Sequence, residues 1–317
     1  MVLAKIRPPL PRCSYYSAPI QWIISRRYSV AATPKIAYVF AGGGSLGAVQ
    51  VGMLKALQAA GIRPDLLAGV SVGSINAYCY ACDPTAAGVA VLERIWRGLR
   101  RADVFPAPGA RGLWRIARGR DHLVSPDRLS ALLRVQLPAQ DFLACRIPCW
   151  VVATDALSGT AVGLHSGPVM PALLASTAIP AIFPPVRIGG QLLNDGGFAH
   201  QAPFESVVAA GATRIYVLPT GYSCARDRPP ASALGHALSA LNQLTVSKLV
   251  GAIQYYARQL EIHTVPPLCP LEVSPLDFRH TAALIERAEA QTRDWLAHGT
   301  ALTDGLPHQL APHSHSR

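Results

Sequence analysis

A chain of 317 residues can bury one large core, and with 50% hydrophobic against 15% charged residues most of it is expected to fold. The formal charge of +11 is concentrated in two places: six basic and no acidic residues in 1–35, and eight arginines against Asp103 alone in 94–120. No helix-turn-helix, zinc-finger or RNA-binding pattern accompanies either patch, which argues against nucleic acid as a partner, and no run approaches the roughly 18 apolar residues of a membrane-spanning helix.

Residues 1–35 read as a basic tail, disordered or targeting. Pro8, Pro9, Pro11, Arg26 and Arg27 interrupt any apolar core there, so a secretory signal fits poorly. Residues 36–41 form a short apolar run ending at Gly42, Gly43 and Gly44, the pattern of a buried strand entering a glycine loop. Val49, Met53, Leu54 and Leu57 then recur at helical spacing within 46–60, and Gly61 closes that helix. A second brief strand at 66–69 and a second helix at 72–81 follow. Strand, helix, strand, helix with short connections predicts a parallel α/β sheet.

The stretch from Arg94 to Arg120 interleaves arginines with Trp96, Leu99, Phe105, Leu113, Trp114 and Ile116. Such a mixture suits an anionic membrane surface, and a plain solvated face is the competing reading. Ser125, Pro126 and Asp127 open a helix through 133, with Ser125 as its N-cap. Strands are expected at 147–153 and 214–218, with a short helix at 171–177 and a hairpin of 186–188 with 191–193 around Gly189 and Gly190. Residues 231–260 carry Leu, Ala and Val at helical spacing, as one long helix or two shorter ones, and 281–298 form a terminal helix. The expected organisation is a catalytic region at 36–218, a helical part at 219–306 packed on the same domain, and a disordered tail at 307–317.

Cys79 with Cys82, and Cys145 with Cys149, have spacings that raise a zinc site. They lie in an apolar helix-like run and beside a buried strand, so they read as core residues. The tail histidines His308, His313 and His315 read as part of a polar tail. No metal, cofactor or disulfide framework is expected, and the location expected is cytoplasmic, at most peripheral to a membrane.

The chemistry gathers in three motifs. Gly69-Val70-Ser71-Val72-Gly73 is a G-x-S-x-G between a strand and a helix, the setting of a nucleophile elbow in which a strained turn lifts the serine hydroxyl above the sheet. Gly42-Gly43-Gly44-Ser45-Leu46-Gly47 fits a dinucleotide fingerprint by spacing, but the second strand ends in the elbow rather than in an acid that would hold a ribose. Its other reading is an oxyanion hole, glycine N–H groups turned toward an ester carbonyl. Asp195, in Leu193-Asn194-Asp195-Gly196-Gly197, is either a turn residue or a base for Ser71. His165 and His200 are the alternative bases.

These motifs, in this order, together with Ser176-Thr177-Ala178-Ile179-Pro180 and Phe183-Pro184-Pro185, resemble the patatin-like phospholipase family over about 36–218. The resemblance implies a three-layer α/β/α sandwich with a mostly parallel sheet. It also implies a Ser71–Asp195 dyad without a catalytic histidine, an oxyanion hole from Gly42, Gly43 and Gly44, and metal-free hydrolysis of lipid acyl esters. Gly47, Gly69, Gly73, Gly196 and Gly197 would support the motifs. Two departures stand out: Ser45-Leu46 where many members carry an arginine in the glycine loop, and Gln201 where many carry asparagine. The alternatives are an α/β-hydrolase with a histidine-containing triad, and a lipid- or dinucleotide-binding module without catalysis.

Overall fold

Alternation along the first apolar run sends Tyr38 and Phe40 to one side and Ala37 and Val39 to the other, all four fully buried. In the computed structural model this run is β1 (Ile36–Phe40) of an eight-stranded sheet. The structure describes residues 33–106, 122–199, 201, 203–225, 229, 230, 233–298, 306–311, 313 and 315. β1 pairs in parallel with β2 (Leu66–Val70) on one side and β7 (Arg214–Leu218) on the other. Parallel pairing continues to β3 (Cys149–Asp155) beyond β2 and to β8 (Glu261–Thr264) beyond β7. The other strands reverse: β4 (Ala161–Leu164) and β6 (Gln191–Asp195) run antiparallel to β3, and β5 (Val186–Ile188) pairs with β6 as the expected hairpin.

A parallel sheet buries both faces. Tyr38, Phe40, Leu67, Tyr216 and Leu218 enter a core shared with α1 (Ala48–Ala59), α2 (Val72–Cys82), α3 (Ala86–Gly98) and the terminal helix Thr281–His298. Ala37, Val39, Ala68, Ile215 and Val217 enter a second core beneath the helices Phe204–Ala209 and Ala233–Tyr256. The architecture is the three-layer α/β/α sandwich that the resemblance implies. Cys79, Cys82, Cys145 and Cys149 pack within the first core or against it.

One buried polar network ties the first layer to the sheet. Gln50 on α1 donates through Nε2 to the carbonyls of Ala41 (2.8 Å) and Leu218 (2.9 Å), just past or at the ends of β1 and β7. Asn76 on α2 donates to Gln50 Oε1 (2.8 Å) and accepts from Trp96 Nε1 on α3 (2.9 Å).

Several elements differ from expectation. The helix predicted from 46 opens as a 3-10 turn, Gly44–Gly47, before α1. The helix predicted from Ser125 begins at Asp127; the Ser125 hydroxyl donates to the Asp127 carboxylate (2.5 Å), and its oxygen accepts from the Asp127 N–H (3.4 Å). Residues 231–260 hold one helix, Ala233–Tyr256, and then reach β8, which the sequence pattern did not predict; α3, Phe204–Ala209 and β4 were likewise not predicted. The tail expected to be disordered instead makes a 3-10 turn, His308–Leu310, because Leu306 and Leu310, four apart, pack on the second core. Residues 1–32 and 107–121, which include most of the basic tail and half of the arginine-rich stretch, lie outside the described residues. Among the described residues no helix is long and apolar enough to cross a membrane.

Candidate active site

Strand register decides what meets at the carboxyl ends of the sheet. Val70 pairs with Val152, and Asp195 pairs with Ala153, the next residue of β3. Ser71, which follows Val70, and Asp195 therefore arrive at the same end of β3 although 124 positions apart in sequence.

Ser71 has φ 52° and ψ −131°, a conformation that costs a non-glycine residue about 1–3 kcal/mol and survives only where its surroundings impose it. They do so here. The Ser71 N–H donates to Ser176 Oγ (2.9 Å), whose own hydroxyl donates to the Val152 carbonyl (2.6 Å). The Ser71 carbonyl accepts from both the N–H (2.9 Å) and the hydroxyl (2.6 Å) of Ser74. Gly69 and Gly73 meet at the crossing of strand and helix: a Cβ on Gly69 would overlap the Gly73 carbonyl, and one on Gly73 would press on the Ala41 carbonyl. The G-x-S-x-G spacing is thus the spacing of the two backbone contacts flanking the elbow.

Asp195 is 4% exposed. Its Oδ1 accepts from the Gly197 N–H (2.8 Å), whereas Oδ2 is buried without a hydrogen-bond partner. Burial raises its pKa from the ordinary 3.8 to about 6, and the Gly197 N–H and the Ser71 side chain pull the other way. Ser71 is therefore near enough to favour the carboxylate, yet makes no well-formed hydrogen bond to Oδ2 at rest; such contacts commonly tighten only with substrate bound. The Asp195 backbone is pinned by its N–H to the Ala178 carbonyl (3.0 Å) and by Thr154 Oγ1 to its own carbonyl (2.8 Å). Gly196 passes so close to the Val152 carbonyl that no Cβ fits.

The glycine loop lies against the elbow, with a Cβ on Gly42 reaching within 3.0 Å of Ser71 Cβ. Gly44 adopts φ 58°, the left-handed region, where a Cβ would also strike the Pro275 carbonyl. The Gly42 carbonyl is taken by Thr220 Oγ1 (2.6 Å) and that of Gly43 by the Leu46 N–H (3.2 Å). Among the described residues, nothing accepts from the N–H groups of Gly42, Gly43 or Gly44. Asp65, the nearest acid to a ribose-binding position, instead accepts from the Ile36 N–H (2.8 Å) at the opposite end of β1, which removes the support for a dinucleotide site.

Gly42, Gly43, Gly44, Ser71, Asp195 and Gly197 line a cavity of about 880 Å³, with Arg97, Arg100, Arg101 and Arg279 also on its walls. A smaller apolar pocket of about 90 Å³ shares Ser71 and Gly44 and runs between α2, α3 and the helix Asp127–Gln136, past Ile75, Leu92, Ile95, Leu133 and Phe183. No described histidine lines either space. His165 lies one residue beyond Leu164, at the far end of the β3–β4 ladder from Asp195, exposed and tilted against Trp150 at 5.6 Å between ring centroids. It is not placed to serve Ser71. His200 lies outside the described residues. Sequence reasoning gave no role to Thr154 and Thr220, nor to Ser176 beyond its place in a quoted segment.

Residues 38–208, more than half of the chain, match the family model for patatin-like phospholipases, and the match spans the glycine loop, Ser71 and Asp195. The chain belongs to the patatin-like phospholipase family. An uncharacterized NTE family protein of Mycobacterium tuberculosis is 29% identical over 185 residues, which cover 57% of this chain and 48% of that one. Patatin-like phospholipase domain-containing protein 6 of Homo sapiens is 28% identical over 224 residues, covering 68% of this chain and 15% of the human protein. The chain spans about half the length of the mycobacterial relative and a small part of the human one. Among solved structures, VipD from Legionella pneumophila aligns over 84% of this chain and 67% of its own at 13% identity, with a TM-score of 0.40. Both departures from the patatin-like pattern are structurally filled: Ser45 is buried and bonded to the Ser274 and Pro275 carbonyls (3.0 and 2.8 Å), and Gln201 accepts from the Tyr256 hydroxyl (3.2 Å).

Proposed function

We propose that this chain is a serine-dependent lipid acyl hydrolase in which Ser71 is the nucleophile and Asp195 its general base. The single observation that carries the reading is the meeting of an elbow serine, a buried carboxylate with an unpartnered oxygen, and three unengaged glycine N–H groups at one cavity. As Ser71 Oγ attacks the ester carbonyl, Asp195 Oδ2 takes its proton. The carbonyl oxygen gains the charge and is held by N–H groups of Gly42, Gly43 and Gly44, each such donor contributing about 2.7–4 kcal/mol at the transition state. Collapse expels the alcohol, which leaves with the proton from Asp195. Water then attacks the acyl-enzyme, again giving its proton to Asp195, and the carboxylic acid departs with Ser71 restored.

The apolar pocket beginning at Ser71 favours a fatty acyl group over a polar one, for a polar group there would lose its hydrogen bonds to water. The segment 219–306 belongs to the same functional unit on this reading: it supplies β8, Thr220 behind the glycine loop, and Leu238 and Leu276 in the cavity wall. The arginine-rich stretch 94–120 is proposed as a peripheral contact with anionic membrane.

The reading is tested with purified protein and a short-chain acyl ester. Ser71→Ala and Asp195→Asn should each lower kcat by about 10³-fold or more while circular dichroism stays unchanged. A folded Ser71→Ala variant with full turnover would refute the nucleophile.

A further inference from the structure

A second chemical cluster lies apart from the dyad. Cys224 follows β7, Cys269 follows β8, and these two strands are parallel neighbours, so their loops leave the same end of the sheet side by side. The loops are cross-tied by Ala225 N–H to the Leu271 carbonyl (3.1 Å) and by Ser223 Oγ to the Val273 carbonyl (2.6 Å). The C-terminal segment returns across them and adds His313 and His315. One ligand atom from each of Cys224, Cys269, His313 and His315 lies within 4.8 Å of all the others.

The geometry points to a structural zinc site of the Cys2His2 type, built from Cys224, Cys269, His313 and His315, that fastens the C-terminal segment to the two loops behind the glycine loop. Cys269 Sγ lies 3.2 Å from His313 Nε2 and 3.3 Å from His315 Nε2. A tetrahedral ion with Zn–S of about 2.3 Å and Zn–N of about 2.0–2.1 Å holds sulfur and nitrogen about 3.5 Å apart, so the side chains are already spaced for it. His313 is also oriented as a ligand. Its Nδ1 faces the Ala311 carbonyl (2.8 Å) and the Tyr222 hydroxyl (3.1 Å), and donation to that carbonyl leaves Nε2, the atom directed into the cluster, with a free lone pair. Two thiolates and two imidazoles are a donor set that selects zinc over harder cations. Binding would displace one proton from each thiol, and the two thiolates would neutralise the ion's charge. All four positions come from protein, which is the pattern of a structural rather than a catalytic site.

The location gives the site a consequence. The loop bearing Cys224 also carries Thr220, which holds the Gly42 carbonyl, and Tyr222 and Ser223, which line the cavity. The loop bearing Cys269 continues to Ser274 and Pro275, whose carbonyls hold Ser45. A metal joining the two loops would stiffen the wall behind the glycine loop. The site stands on its own ligands and does not depend on the proposed hydrolysis.

The test is elemental analysis of the full-length, untagged chain, purified without chelator and then equilibrated with micromolar zinc and desalted. About one zinc per chain is expected. His315→Ala, at an exposed position, and Cys269→Ser should each lower it by at least tenfold, and His308→Ala, outside the cluster, should leave it unchanged. Cobalt(II) loaded into the wild-type protein should give the intense absorption of tetrahedral thiolate coordination, a readout that does not depend on any variant folding. Zinc far below one per chain, zinc retained in His315→Ala and Cys269→Ser, octahedral cobalt, or a Cys224–Cys269 disulfide in protein prepared under reducing conditions would overturn the site.

Discussion

Asp195 carries the sharpest conflict between stability and chemistry. Its carboxyl is buried and its Oδ2 unpartnered, so the charged form that would accept a proton is the form that the fold disfavours. Because its pKa rises from 3.8 to about 6 on folding, the folded chain binds this proton more tightly than the unfolded one. The stability that this preference supplies is complete below the ordinary carboxyl value and disappears as pH climbs through about 6, leaving ionised Asp195 at a cost of roughly 3 kcal/mol at pH 8. Asp195→Asn should therefore raise the thermal midpoint at pH 8 and alter it little at pH 4. Melting curves at the two values check this, and equal shifts would contradict it. For the wild type, kcat/KM on a soluble ester should climb through pH 6 as the base ionises; a flat profile between pH 5 and 8 would remove Asp195 from the role.

At the level of elements, most of the parallel strands were legible because both of their faces are buried, which leaves continuous apolar runs such as 36–40 and 215–218. β8 was not, since Glu261-Ile262-His263-Thr264 is short and mostly polar; it is held at the sheet edge by pairing with β7 and by the His263 ring lying on Tyr216 at 4.8 Å. The motif glycines were visible because they stand at fixed spacings around Ser71 and beside Asp195, although most of the backbone that crowds them lies far along the chain, as the Ala41 carbonyl does for Gly73 and the Val152 carbonyl for Gly196. Ser176, Thr154 and Thr220 left no such trace: each bonds across tens of residues, and an isolated serine or threonine has many other uses. Cys224, Cys269, His313 and His315 are likewise too widely spaced for a local motif. The Gln50–Asn76–Trp96 network joins α1, α2 and α3 to the sheet end bearing the glycine loop. Asn76→Ala would leave Gln50 Oε1 and Trp96 Nε1 buried without partners, at about 1–3 kcal/mol each. Chemical denaturation should show a loss of about 2–6 kcal/mol for this variant. A loss below 0.5 kcal/mol would mean that water or repacking satisfies both groups.

Over the whole molecule, the positive charge sits in segments and not in the sheet core. Arg111, Arg115 and Arg118 belong to the arginine-rich stretch and lie outside the described residues. Their replacement by glutamate should weaken sedimentation with anionic vesicles, by about 1 kcal/mol per arginine near the surface, and should leave soluble-ester turnover intact. Unchanged vesicle binding would make the stretch a solvated face. The site itself is a product of topology. Two glycine-bearing turns follow adjacent parallel strands, and an antiparallel strand delivers Asp195 beside them. The central claim is that this convergence activates the hydroxyl of Ser71. Labelling with a fluorophosphonate, followed by peptide mass spectrometry, tests it most directly. A single phosphonylated residue at Ser71 is expected, with labelling slowed at least about 10²-fold in Asp195→Asn. Absence of label, label at another serine, or an unchanged rate in Asp195→Asn would contradict it.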